Sequence, residues 1–197
     1  MQLAEPTVLL RRVLKPRIPP PSPGELATEV ADLLRLTARQ GKAPPGTMAI
    51  LSRQPHLLSP FLGWAAALAL QGALPKRDHE LLALRAAWNC QSPFEWDEHA
   101  ELAYAAGLGD DEIRRVGSAS AEPSFAPHEE ALVRAADELH ASCAISDETW
   151  SVLAARYDVP ALVEIPLVVG QYTMLSMLAN AAGLEGQTPT GLPPRAR

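Results

Sequence analysis

The stretch Glu80 to His99, ELLALRAAWNCQSPFEWDEH, decides how the rest of the chain is read. It spells the end of one apolar helix, a break at Ser92–Pro93, and the start of a second helix. Proline suits a first helical position, because its missing N–H would have no partner there. Ser92 then falls at the N-cap and Glu95 at the third helical position, the spacing of a capping box. Glu95 and His99 stand four residues apart and share a face, which continues through Leu102, Ala103 and Ala106. On the preceding helix a stripe runs through Glu80, Leu84, Ala87, Trp88 and Gln91. Two carboxylates and an imidazole therefore begin on largely apolar faces of adjoining helices. Polar groups on a core face need partners, and the nearest partners are each other.

Each of these residues also has a plainer reading. A capping box alone explains Ser92 and Glu95. Glu80 can pair with Arg77 at the helix surface, and His99 can be a satisfied core histidine. Trp96 suits a pocket wall or the core equally. Cys90 is more often a small buried hydrophobe than a nucleophile. His79 points about 100° away from Glu80 on a helix and is left outside the set.

The order Glu80, Ser92, Glu95–Trp96, His99 resembles the carboxymuconolactone decarboxylase family, which includes the alkylhydroperoxidase D-like proteins. In the family's peroxidase branch the pattern is Glu, Cys-x-x-Cys, His. Here Glu80 and His99 are kept, while the two thiol positions hold Ser92 and Glu95; Cys90 lies two positions early. The lead-in LPKRDHELLALRAAW and, more weakly, VGQYTMLSMLANAAG near the C-terminus are also similar, so the likeness covers most of residues 17–184. It implies an all-α alkylhydroperoxidase D-like fold assembled as trimers or hexamers, with the site near a subunit junction. It also implies His99, Glu80, Glu95 and Ser92 as the catalytic set. Trp96, Cys90 and Tyr172 are expected to line the substrate site.

At 197 residues, one domain with a proper core is expected. Hydrophobic content is 47% with only 5% aromatic residues, an Ala- and Leu-heavy mixture that favours closely packed helices. The net charge of −6 argues against a nucleic-acid surface. Cys90 and Cys143 form no CxxC or metal-ligand spacing, so a reducing cytoplasm is the simple expectation. The early segment VLLRRVLKPR has arginines where a signal peptide needs an apolar core, and no window suggests a membrane span of roughly 18 residues. No glycine loop suits a phosphate. One histidine with carboxylates is too few for a zinc site, so no metal and no cofactor are expected.

Along the chain, 1–23 reads as an extended arm, 24–184 as the helical domain and 185–197 as a tail. The arm carries Arg11, Arg12, Lys15 and Arg17 and ends in a proline run. About eight helices are expected. One spans Glu25 to Gln40, with Leu26, Val30, Leu33, Leu34 and Thr37 inward. A short one is capped by Thr47, and another runs to about Gln71 from Pro55 or, given Pro60 in its first turns, from Ser59. The central pair follows, then a short helix capped by Asp110, with a Ser/Ala/Pro loop from Gly117 to Pro127. The next runs from His128 to Ser142, and another starts at Ser146. Val159 to Ala182 closes the domain, kinked or divided at Pro166 and Gly170. Tyr172 and Asn180 on that last segment face either the pocket or an oligomer seam.

The function expected from these residues and the resemblance is a cofactor-free acid–base enzyme, a decarboxylase or isomerase of a small lactone or keto acid. A peroxidase acting through Cys90 and a non-catalytic small-molecule binder are the alternatives.

Overall fold

A computed structural model of the chain describes residues 16–22, 24–39, 42–118 and 125–186. The expectations for Arg11, Arg12 and Lys15, for the middle of the Gly117–Pro127 loop and for the tail beyond 186 lie outside these residues. Among the described residues there are nine α-helices and no strand: α1 Thr28–Arg35, α2 Gly46–Leu51, α3 Pro55–Gln71, α4 Lys76–Asn89, α5 Pro93–Ala105, α6 Asp110–Val116, α7 Pro127–Ser142, α8 Asp147–Ala154 and α9 Val159–Ala182. The all-α expectation holds.

α4 is the axle of the fold. Every residue from Asp78 to Asn89 is buried, because α5, α7 and α9 pack round it. Leu82, Ala83 and Ala86 join a large core with Leu34, Met48, Leu132, Leu153, Ile165 and Tyr172. Leu81, Leu84, Ala87 and Trp88 turn the other way, to a smaller core with Trp96, Ala103, Ile113 and Val116. Fully burying each such leucine contributes about 1.5–3 kcal/mol over leaving it exposed. The buried charged, imidazole and amide side chains of α4 are each met. Arg85 forms a fork on Asp137 at 2.6 and 2.7 Å, bonds the carbonyls of Val116 and Ser118, and stacks over Trp88 at 4.1 Å.

The turn from α4 to α5 is set by backbone bonds: Ser92 N–H reaches Ala87 O at 2.9 Å and Gln91 N–H reaches Trp88 O at 3.0 Å. This paired pattern closes a helix with one left-handed residue. Here that residue is Gln91, at φ 50°.

Several boundaries differ from the sequence reading. α1 is shorter than Glu25–Gln40 at both ends. Pro45, not Thr47, holds the N-cap of α2, and Thr47 is buried. Gly109 is the N-cap of α6, with Glu112 accepting its N–H at 2.9 Å. Ser146 caps α8 as expected, accepting from Thr149 N–H. α9 runs unbroken through Pro166 and Gly170. These two residues lie four apart on the exposed face, away from the packed stripe. α9 is also long and apolar enough to cross a membrane by length and composition, contrary to expectation, since its long apolar window carries at most two charges. Half of that window is buried, against α2, α4, α5, α7 and α8.

The described part of the N-terminal segment lies on the body. Arg17 and Ile18 N–H reach Ala182 O at 2.8 and 3.2 Å, and Arg53 Nε reaches Pro19 O at 2.9 Å.

Candidate active site

α4 presents Glu80 and α5 presents His99, and the two meet: His99 Nδ1 lies 2.7 Å from Glu80 Oε2. Both are buried. Arg77, the surface partner considered for Glu80, instead pairs with Glu112 and Glu129. On the other side of the imidazole, Nε2 lies 3.9 Å from Glu95 Oε2, one turn back along α5. The ring therefore sits between two carboxylates. Burial disfavours its charged form and is the largest single influence. The Glu80 carboxylate, by charge and hydrogen bond, together with Glu95, outweighs it and raises the pKa above the ordinary 6.5.

Glu95 is 3% exposed. Burial pushes its pKa up to about 7, against smaller opposing effects from His99 and the Thr47 hydroxyl. The expected capping box is absent. Ser92 occupies the N-cap, but no side chain there accepts from the helix. Among the described residues, Ser92 Oγ and Glu95 Oε1 are buried with no hydrogen-bond partner. Buried polar atoms normally have one. A cap would have used both groups; instead neither atom has a partner.

Tyr172 on α9 completes the cluster. Its ring stands edge-on to His99, with centroids 4.2 Å apart, and its hydroxyl lies 2.9 Å from His79 Nε2. His79, left out of the sequence set, thus belongs to the site. A residue 100° from Glu80 ordinarily faces elsewhere on a helix, but from Asp78 to Asn89 α4 has no solvent face to turn it toward. Burial pulls the His79 pKa down to about 4, so this imidazole is neutral at pH 7. Burial, then the charges of Glu80 and Glu95, keep the Tyr172 phenol protonated well past its usual range. Thr47, beside Glu95, was also missed; nothing in the local sequence marked it.

Of the other expected lining residues, Trp96 is 2% exposed and packs in the smaller core with Leu81 and Val116. Cys90 is half-buried at the end of α4, and Asn180 Nδ2 donates to its carbonyl at 2.9 Å. Asn180 therefore fixes the α4–α5 turn.

The fold also gathers Asp78, His128 and Glu129, whose ligand atoms lie within 4.8 Å of one another, a grouping the sequence spacing did not reveal. Asp78 accepts from the Tyr157 hydroxyl at 2.8 Å. Glu129 accepts from Arg77 Nε at 2.5 Å and Ala126 N–H at 3.0 Å. The Arg77 guanidinium already supplies positive charge to this cluster.

Residues 55–138, which span α3 through most of α7 and carry Glu80, Ser92, Glu95 and His99, match the carboxymuconolactone decarboxylase family. No curated protein matches the chain in sequence. Among solved structures, a peroxidase-related protein of Silicibacter sp. TM1040 superposes with a TM-score of 0.76 at 14% identity, over 89% of this chain and 96% of that one. A peroxidase-related protein of Ralstonia eutropha JMP134, described as an alkylhydroperoxidase AhpD core, gives 0.76 at 16% identity over 89% and 94%. The debrominase Bmp8 gives 0.74 at 13% identity over 88% and 94%. At these identities the likeness is one of fold, an all-α architecture of the alkylhydroperoxidase D-like kind.

Proposed function

We propose that the protein is an acid–base enzyme that moves a proton to or from carbon in a small lactone or keto acid, as a decarboxylase or isomerase. The observation that carries this reading is the buried line Glu80–His99–Glu95, whose far end keeps Glu95 Oε1 without a partner, with Ser92 Oγ also unpartnered at the N-cap of the same helix.

Glu80 accepts the Nδ1 proton of His99 and orients the ring, leaving Nε2 as the working nitrogen. As imidazolium, His99 gives the Nε2 proton to carbon; as neutral imidazole it takes one there. Glu95, with a pKa of about 7, holds a comparable share of each form near neutrality and suits the partner role in a two-proton cycle. In a decarboxylation, the electrons of the breaking carbon–carboxylate bond pass into the carbonyl system, and the proton from Nε2 then closes the carbon. In an isomerisation, Nε2 removes a proton from one carbon and Glu95 returns one at another. Ser92 Oγ holds a substrate oxygen or a water.

A thiol peroxidase is less well supported, because the family's two thiol positions carry Ser92 and Glu95. Such a cycle needs an activated thiol and a group to resolve its oxidised form. The test is a panel of unsaturated lactone acids and β-keto acids, followed by carbon dioxide release and by loss of conjugated absorbance. Wild type should turn over a member of the panel and His99→Gln should not. Equal rates for the two proteins would overturn the assignment.

A further inference from the structure

Tyr172 and His79 have no task in the proton path above, yet both are buried beside it. The phenol oxygen has two lone pairs and one proton to place. His79 Nε2, at 2.9 Å, either donates to a lone pair of that oxygen or accepts the phenolic proton. In the first arrangement the phenolic proton is free to point away from His79. Tyr172 packs directly on the His99 imidazole, so a free proton there lies beside the working ring.

We propose that Tyr172 donates its phenolic hydrogen bond to the oxygen of an enolisable carbonyl substrate, with His79 as its positioning residue. The proposal rests on the acid–base reading and narrows its substrate class to compounds that react through an enolate. When His99 Nε2 takes a proton from the carbon beside the carbonyl, the C–H electron pair forms a carbon–carbon double bond and the carbonyl π pair moves to oxygen. Tyr172 stabilises that oxygen without giving up its proton. The proton then returns to carbon and the carbonyl re-forms, so no outside reagent is consumed. In a decarboxylation the carbon–carboxylate bond supplies the same electron pair. A neutral imidazole suits the positioning role, because it donates one N–H and adds no charge that would favour the phenolate.

The first test needs no substrate. Nitrogen NMR of the histidine-labelled protein at pH 7 reads which nitrogen of His79 carries hydrogen. Nε2–H is expected, with its signal moved in Tyr172→Phe; Nδ1–H alone would overturn the proposal, since the phenolic proton would then be spent on His79. The second test uses whichever panel compound wild type converts. Tyr172→Phe should lose about 10²- to 10³-fold in kcat with little change in KM, the cost of removing one donor to a developing oxyanion. His79→Gln keeps an N–H donor and should stay within about tenfold of wild type, while His79→Leu should fall to the level of Tyr172→Phe. Wild-type kcat in Tyr172→Phe would overturn this proposal alone, whereas wild-type kcat in His99→Gln would overturn the acid–base reading beneath it.

Discussion

His99 and Glu80 are nineteen positions apart and come from the two helices of the central pair, yet Nδ1 of one lies 2.7 Å from a carboxylate oxygen of the other. Both are under 10% exposed, so the bond ties α4 to α5 where water does not compete. Removing one member of a buried pair costs more than replacing it with a group of similar shape. For that reason His99→Gln is the informative substitution. It should fold normally, by circular dichroism and thermal melting, and lose about 10²- to 10⁴-fold in turnover. Glu80→Gln should lose less, since an amide oxygen still orients the ring.

Glu95 and His79 set opposite pH dependences of stability. The Glu95 pKa is raised to about 7 from 4.5, so the fold holds its proton where the unfolded chain does not. Its contribution is present below about 4.5 and lost as pH rises through about 7. The His79 pKa is lowered to about 4 from 6.5, so the unfolded chain binds that proton first. Its contribution is present above about 6.5 and lost as pH falls through about 4. Urea unfolding at pH 5 and pH 7.5 should therefore show Glu95→Gln gaining stability, relative to wild type, as pH rises. His79→Gln should show the reverse. Two variants with the same slope would contradict the assigned shifts.

Gln91 holds a left-handed backbone at φ 50°, a conformation that costs a residue with a Cβ roughly 1–2 kcal/mol. Glycine avoids that cost but loses more chain entropy on folding, and here it also gives up the Gln91 Nε2 bond to Trp88 O at 2.7 Å. Gln91→Gly should leave stability higher by up to about 1 kcal/mol in denaturant titration. A loss would show that the side-chain bond to Trp88 outweighs the backbone strain.

Cys90 is anchored through its carbonyl, by Asn180, and Cys90→Ser leaves that bond in place. Turnover of the panel compound is expected to be unchanged. If wild type reduces an organic hydroperoxide and Cys90→Ser abolishes it, the peroxidase alternative is correct.

α3 and α9 leave large apolar residues uncovered: Leu70 is 75% exposed and Met177 is 63% exposed, with Trp64, Val163 and Met174 also open. Extended apolar patches mark contact surfaces, and we expect a homo-oligomer that buries roughly 1,000 Å² or more in total. Light scattering at micromolar concentration should report more than one chain, with Leu70→Glu and Met177→Glu shifting the species toward monomer. A strictly monomeric wild type would contradict this.

Where the chain carries its own punctuation, it was legible. Pro55 and Gly72 fix α3, Ser146 fixes α8, and the Ser92–Pro93 break fixes the central pair. Glu80 and His99 could be paired because each heads an apolar stripe and the family pattern joins them. His79 could not, because helical-wheel reasoning assumes that some direction faces water, and around α4 none does. The capping box at Ser92 and Glu95 was inferred from spacing that is correct; tertiary packing places Glu95 beside His99 instead. Pro166 and Gly170 looked like a break, yet both lie on the open face of α9, where a missing N–H and a missing side chain disturb no packed contact.

The encirclement of α4 also governs how the sequence can drift. A surface helix tolerates exchange at about two positions in three, and related sequences vary there with the helical period. From Asp78 to Asn89 there is no such tolerant side. A saturation library across these twelve positions should return a nearly solid block of intolerance, without the rhythm of 3.6 residues. In α3, where only Leu58 and Leu68 are buried, the same library should accept most exchanges wherever an interface between subunits does not intervene. Variation would then accumulate around the axle and leave the axle itself almost fixed.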